Sequence, residues 1–125
     1  MLEMAVVTCL AMNIYHEARG EPIDAQMLVA EVTINRAEER GETICEVVWE
    51  DDQFSWTNDG KSDRPKDLEA FSQSVIIAQQ ALSNPSALLG SGANHYHEAS
   101  VHPDWAKRMT RIGKYGNHIF YTDKL

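Results

Sequence analysis

The stretch that decides the fold is LEMAVVTCLAMNIYHEARGEP, residues 2–22. From Leu2 to Ala18 apolar side chains fall on nearly every side of a helical wheel. That pattern belongs to a helix buried on most sides rather than to an amphipathic surface helix. Gly20 is placed to cap its C-terminus, and Pro22 prevents its continuation. Glu3, Thr8 and Asn13 interrupt the apolar run, so it is no membrane span. The helix nevertheless ends on an acid, Glu17, with a second acid, Glu21, just beyond it.

Outward from this helix the chain reads as α+β, mainly helical with a small strand or hairpin region. Asp24 is the expected N-cap of a second helix over 25–40, with a stripe of Ala25, Leu28, Val29, Val32 and Arg36, closed by Gly41. Ile44, Val47, Val48 and Trp49 suit a short helix or a strand equally. QFSWT (residues 53–57) reads as a strand entering a tight turn at Asn58-Asp59-Gly60. After a polar loop through Lys66, Leu68, Phe71, Val75, Ala78 and Leu82 mark a further helix over 67–83, stopped by Asn84-Pro85. The last third, rich in Gly, His and aromatics, reads as short strands and loops. There is no repeat or linker, and 125 residues suit one domain, 1–125, around one core.

Composition excludes several functions. Hydrophobic residues make up 43% and charged residues 24%, as in ordinary globular proteins. The net charge of −8 works against binding nucleic-acid phosphates. The basic group Lys107, Arg108, Arg111 and Lys114 reads as a solvated face. No secretory leader is read at the N-terminus. Cys9 and Cys45 read by default as buried free thiols, with a single disulfide open if the protein works outside the cytoplasm.

The chemistry points to Glu17. At a helix C-terminus the dipole disfavours negative charge, and apolar neighbours act in the same direction. A carboxyl kept protonated near neutral pH is suited to general acid work. Arg19 would oppose this if it turned inward. Glu21 precedes a helix N-terminus, where an ionised carboxylate is favoured, so it is either a second acid or a structural one. Phe54, Trp56, Tyr96, Trp105, Phe120 and Tyr121 lie in the strand and loop regions, where aromatic faces stack on sugars or complete a core. His95 and His97 alternate along a strand and share one side. With Glu98 on the other side no metal set is complete, and no metal or cofactor is expected.

CLAMNIYHEARGEP, AQMLVAEVTINR, ICEVVW, QFSWT, GANHYHEA and IGKYGNHIFY, in that order over residues 8–121, resemble the SleB-like cell-wall hydrolases of bacteria and phages. The resemblance implies a lysozyme-like fold and a peptidoglycan-cleaving muramidase acting on the MurNAc–GlcNAc bond. A lytic transglycosylase with Glu17 as single acid/base is the expected form. Gln53, Ser55, Trp56, Tyr96 and His97 would bind substrate. Lysozyme-type hydrolysis with a second acid is the alternative, as are a silent peptidoglycan-binding module and a phage virion component. The partner would be glycan strands met by a monomer without membrane insertion. The protein would be made in the cytoplasm and reach the wall by holin-type release. Cys9 and Cys45 lie where this family often carries cysteine, so the resemblance makes a disulfide between them worth testing.

Overall fold

The structure, a computed structural model, describes residues 4–50, 55–58, 63–84 and 90–124. Among the described residues four α-helices precede a small sheet: α1 Met4–Ala18, α2 Ile23–Arg40, α3 Ile44–Trp49 and α4 Leu68–Ser83, then β1 His95–Glu98, β2 Thr110–Tyr115 and β3 His118–Thr122. Short 3-10 turns cover Ser55–Asn58 and Asp104–Arg108. This is the α+β, mainly helical architecture expected.

The centre of the molecule is α2. Every residue from Ala25 to Thr33 is buried, polar ones included. The expected stripe therefore understates it. Gln26 and Glu31, outside that stripe, are also enclosed, with hydrogen bonds to the backbone. Gln26 donates to the Glu21 carbonyl at 2.8 Å. Glu31 accepts from the backbone N–H groups of Gly90 and Ser91 at 3.0 and 2.9 Å. These bonds offset the cost of taking polar groups out of water. The helix also starts earlier than expected, with Pro22 at its N-cap and Asp24 inside its first turn. Gly41 closes it in a left-handed conformation, as the sequence suggests.

Around α2, α1 buries Val7, Leu10, Ala11, Ile14 and Ala18. From α4 come Ile77, Ala78 and Ala81, while Leu68, the first residue of its expected stripe, is exposed. Segment 44–49 resolves as a helix because Thr43 and Glu46 form a reciprocal capping box. The expected strand at QFSWT is instead a 3-10 turn over its described part. Trp56 there turns inward, its indole N–H donating to Asn13 Oδ1 at 2.8 Å while its ring stacks on His16. That inward anchor replaces ladder pairing. Gln53, Phe54, Asp59 and Gly60 lie outside the described residues.

The sheet has the order β1-β3-β2, antiparallel throughout, with a register irregularity between Arg111 and Gly113. Phe120, wholly buried on the central strand, fixes the sheet to the helical core. Cys9 of α1 and Cys45 of α3 form a disulfide, and the default reading of two free thiols is corrected. Their Cα atoms stand 5.3 Å apart, and neither residue is deep enough to be an inert buried thiol. No described helix is long and apolar enough to cross a membrane.

Candidate active site

Glu17 sits in the last turn of α1, at the edge of a cleft of about 660 Å³. The cleft is walled on one side by this turn and the α1–α2 connection. On the other side stand Glu98 and His118 from the strands and Asn117 from the β2–β3 turn. The arrangement follows from the local sequence. Ile14 and Ala18 hold the end of α1 in the core, and Gly20, at φ +80°, reverses the chain so that Glu21 faces the same cleft.

Burial raises the Glu17 carboxyl above its ordinary value of 4.5, and the charge of Glu98 acts in the same sense. The Tyr96 hydroxyl, His118 and Arg36 oppose the rise without cancelling it. The hydroxyl of Tyr96 donates to Glu17 Oε1 at 2.6 Å. Burial, and next the neighbouring Glu17 charge, lift the Tyr96 phenol well above its usual range, so Tyr96 is a fixed neutral donor. The opposing cation expected at Arg19 comes from elsewhere. Arg19 is exposed, with its guanidinium 4.8 Å over the Tyr15 ring. Arg36, on α2, is the enclosed cation, its Nε donating to the Asn94 carbonyl at 2.8 Å. A cation closing the apolar stripe of α2 was the available sequence signal for it.

The remaining candidates divide between two places. Glu21 is in the cleft, where its Oε1 accepts from the Asn117 backbone N–H at 2.8 Å. Tyr96 meets Glu17, and its ring stands edge-on to His118. Trp56 is buried in a second apolar cluster against which Tyr96 also packs. The backbone of Ser55 belongs to the same 3-10 turn as Trp56, and Gln53 is outside the described residues. His97 points to the opposite face of β1 from Tyr96, as strand alternation requires. There it bonds to the Tyr121 hydroxyl at 2.9 Å and packs with Trp105, away from Glu17. His95 packs against the same Trp105, and burial lowers its pKa. Among the described residues no cluster of His, Cys, Asp or Glu is suited to a metal ion.

A mostly enclosed carboxyl whose pKa burial raises, with a phenol donor at a cleft edge, is suited to delivering a proton to a bound substrate. Three comparisons bear on which substrate class. The catalytic domain of the Bacillus cereus SleB protein superposes with a TM-score of 0.75, at 25% identity over 98% of this chain and 93% of that one. The catalytic domain of the germination-specific lytic transglycosylase SleB from Bacillus anthracis gives 0.72, at 24% identity over 97% of each chain. A search of curated proteins gave no match. The cell wall hydrolase family model matches residues 20–121, most of the chain, beginning just after Glu17. On that match the chain belongs to the cell wall hydrolase family.

Proposed function

We propose that the protein cleaves the MurNAc–GlcNAc bond of peptidoglycan as a lytic transglycosylase, with Glu17 as its single acid and base. The observation that carries this reading is the Glu17 carboxyl, raised by burial and held by Tyr96 at the cleft. Likeness to a domain described as a lytic transglycosylase supports the reaction type. In this reaction Glu17 protonates the leaving glycosidic oxygen. The resulting carboxylate takes the proton of the muramic acid 6-hydroxyl as that oxygen closes on C1, giving a 1,6-anhydro product. No activated water is needed, so one acid suffices where ordinary glycosidases use two. Glu21 lines the same cleft and supports a second reading, hydrolysis with a water activated by that carboxylate. Action at the wall, after release from the cytoplasm and as a monomer, completes the proposal. The Cys9–Cys45 disulfide suits a non-reducing compartment.

The test is mass spectrometry of digests of purified peptidoglycan by wild type and Glu17→Gln. Anhydromuramic ends from wild type alone are expected. Reducing muramic ends would move the assignment to hydrolysis. Equal products from both proteins would remove Glu17 from the chemistry.

A further inference from the structure

The wall of the cleft around His118 is closely fitted. Gly116, at φ +59° in the β2–β3 turn, stands where a Cβ would lie 3.0 Å from both Glu21 Oε1 and Pro22 Cδ. Only glycine lets this turn press against the α1–α2 connection. The Asn117 N–H then reaches Glu21 Oε1 at 2.8 Å. The same oxygen lies 3.2 Å from Nδ1 of His118, a side chain left 6% exposed. The oxygen is within reach but off the hydrogen-bonding direction, so this buried nitrogen has no hydrogen-bond partner among the described residues.

A carboxylate beside a buried imidazole nitrogen decides where the ring keeps its proton. With a lone pair on Nδ1, two electron-rich atoms would face each other at 3.2 Å. With the proton on Nδ1 the contact is attractive. The Nδ1–H tautomer leaves the lone pair on Nε2. Nδ1 is sealed against Glu21 while the residue borders the cleft, so the edge that meets the cleft is the Nε2 edge. In the neutral ring, a hydrogen-bond acceptor therefore borders the cleft that Glu17 lines.

We propose that His118, its tautomer set by Glu21, accepts a hydrogen bond from the muramic acid 6-hydroxyl and holds that oxygen against C1. This rests on the transglycosylase reading and assigns the group that orients its nucleophile. The proton count is unchanged. Glu17 gives its proton to the leaving oxygen as the C1–O bond breaks, and the 6-hydroxyl, until then donated to His118, turns its proton to the ionised Glu17 as the 6-oxygen bonds to C1. His118 gains and loses no proton over the cycle. It favours the internal hydroxyl over water by orientation. Glu21 is a positioning residue that acts through His118.

The experiment measures the ratio of anhydro to reducing ends released from purified peptidoglycan by wild type, His118→Phe and His118→Gln. Phenylalanine keeps a flat ring without an acceptor. It is expected to shift the ratio toward reducing ends about tenfold, the effect of losing one hydrogen bond to a hydroxyl. Glutamine, whose amide oxygen accepts, is expected to restore part of the ratio. A ratio unmoved in His118→Phe, whatever its total turnover, overturns the proposal, because a purely structural role lowers turnover alone. Long-range proton–nitrogen NMR of the wild-type ring reads the tautomer without any variant. Nδ1–H is expected, and Nε2–H overturns the proposal. Wild type releasing only reducing ends would defeat the transglycosylase reading, and this inference with it. Anhydro ends with an unmoved variant ratio defeat the inference alone.

Discussion

Tyr96 places two opposed demands on Glu17. Its bulk helps to keep water from the carboxyl, which favours the protonated form. Its hydroxyl donates to Oε1 at 2.6 Å, which favours the ionised form. Replacing it with phenylalanine separates the two, since the ring stays and the donor goes. A general acid works while protonated, so activity should be present below the Glu17 pKa and lost as pH rises through it. Without the hydroxyl the carboxylate is less stabilised and the pKa rises further. The alkaline limb of kcat/KM in Tyr96→Phe should therefore move to higher pH. The maximal rate should fall about tenfold as the carboxyl loses its fixed orientation. A limb that stays in place or moves to lower pH would show that the hydroxyl does not govern this carboxyl.

Elements meet at the cleft through turns, and Gly116 tests how tightly. Gly116 and Gly41 both hold left-handed φ, +59° and +64°, but only the first has neighbours where a Cβ would stand. Gly41→Ala should lose about 1–2 kcal/mol, the left-handed penalty alone. Gly116→Ala should lose more and also displace Glu21. Comparing their denaturant midpoints isolates the clash, and equal losses would mean the α1–α2 connection simply yields. The sequence tells much about elements and little about their meetings. α1 and α4 are legible because helical periodicity is local, and Glu17 because a helix terminus and its apolar neighbours are local too. Burial of Glu31 was hidden, since its partners Gly90 and Ser91 come about sixty residues later. The Tyr96–Glu17 bond spans 79 residues, and periodicity carries no information at that range. The 3-10 turn at Trp56 read as a strand because β-favouring residues look alike until a partner such as Asn13 is known.

At the scale of the whole molecule, a covalent tie adds to the packing and hydrogen bonds that hold the helix carrying Glu17. In the packing, α1 lies against α2 and α4, with Leu10, Ala11 and Ile14 wholly buried. The covalent tie joins Cys9 to Cys45 across a sequence separation of 36. Closing a loop of that length removes about 3–4 kcal/mol of chain entropy from the unfolded state in the entropic account. This is a large share of a typical domain's net stability of about 5–15 kcal/mol. In that account the packing is unchanged by reduction. Reduction should therefore lower the melting temperature by about 10–15 °C without unfolding the protein at room temperature. Cleavage should persist there, because Glu17 lies two turns beyond Cys9 and is held by Tyr96 and by the buried Ala18. The check is thermal melting and peptidoglycan release with and without reductant, with free thiols counted in each sample. Activity lost on reduction below the melting temperature would mean that the disulfide shapes the cleft itself. A melting point unchanged after both thiols are freed would mean that helix packing alone fixes α1, and that the covalent tie adds nothing to the fold.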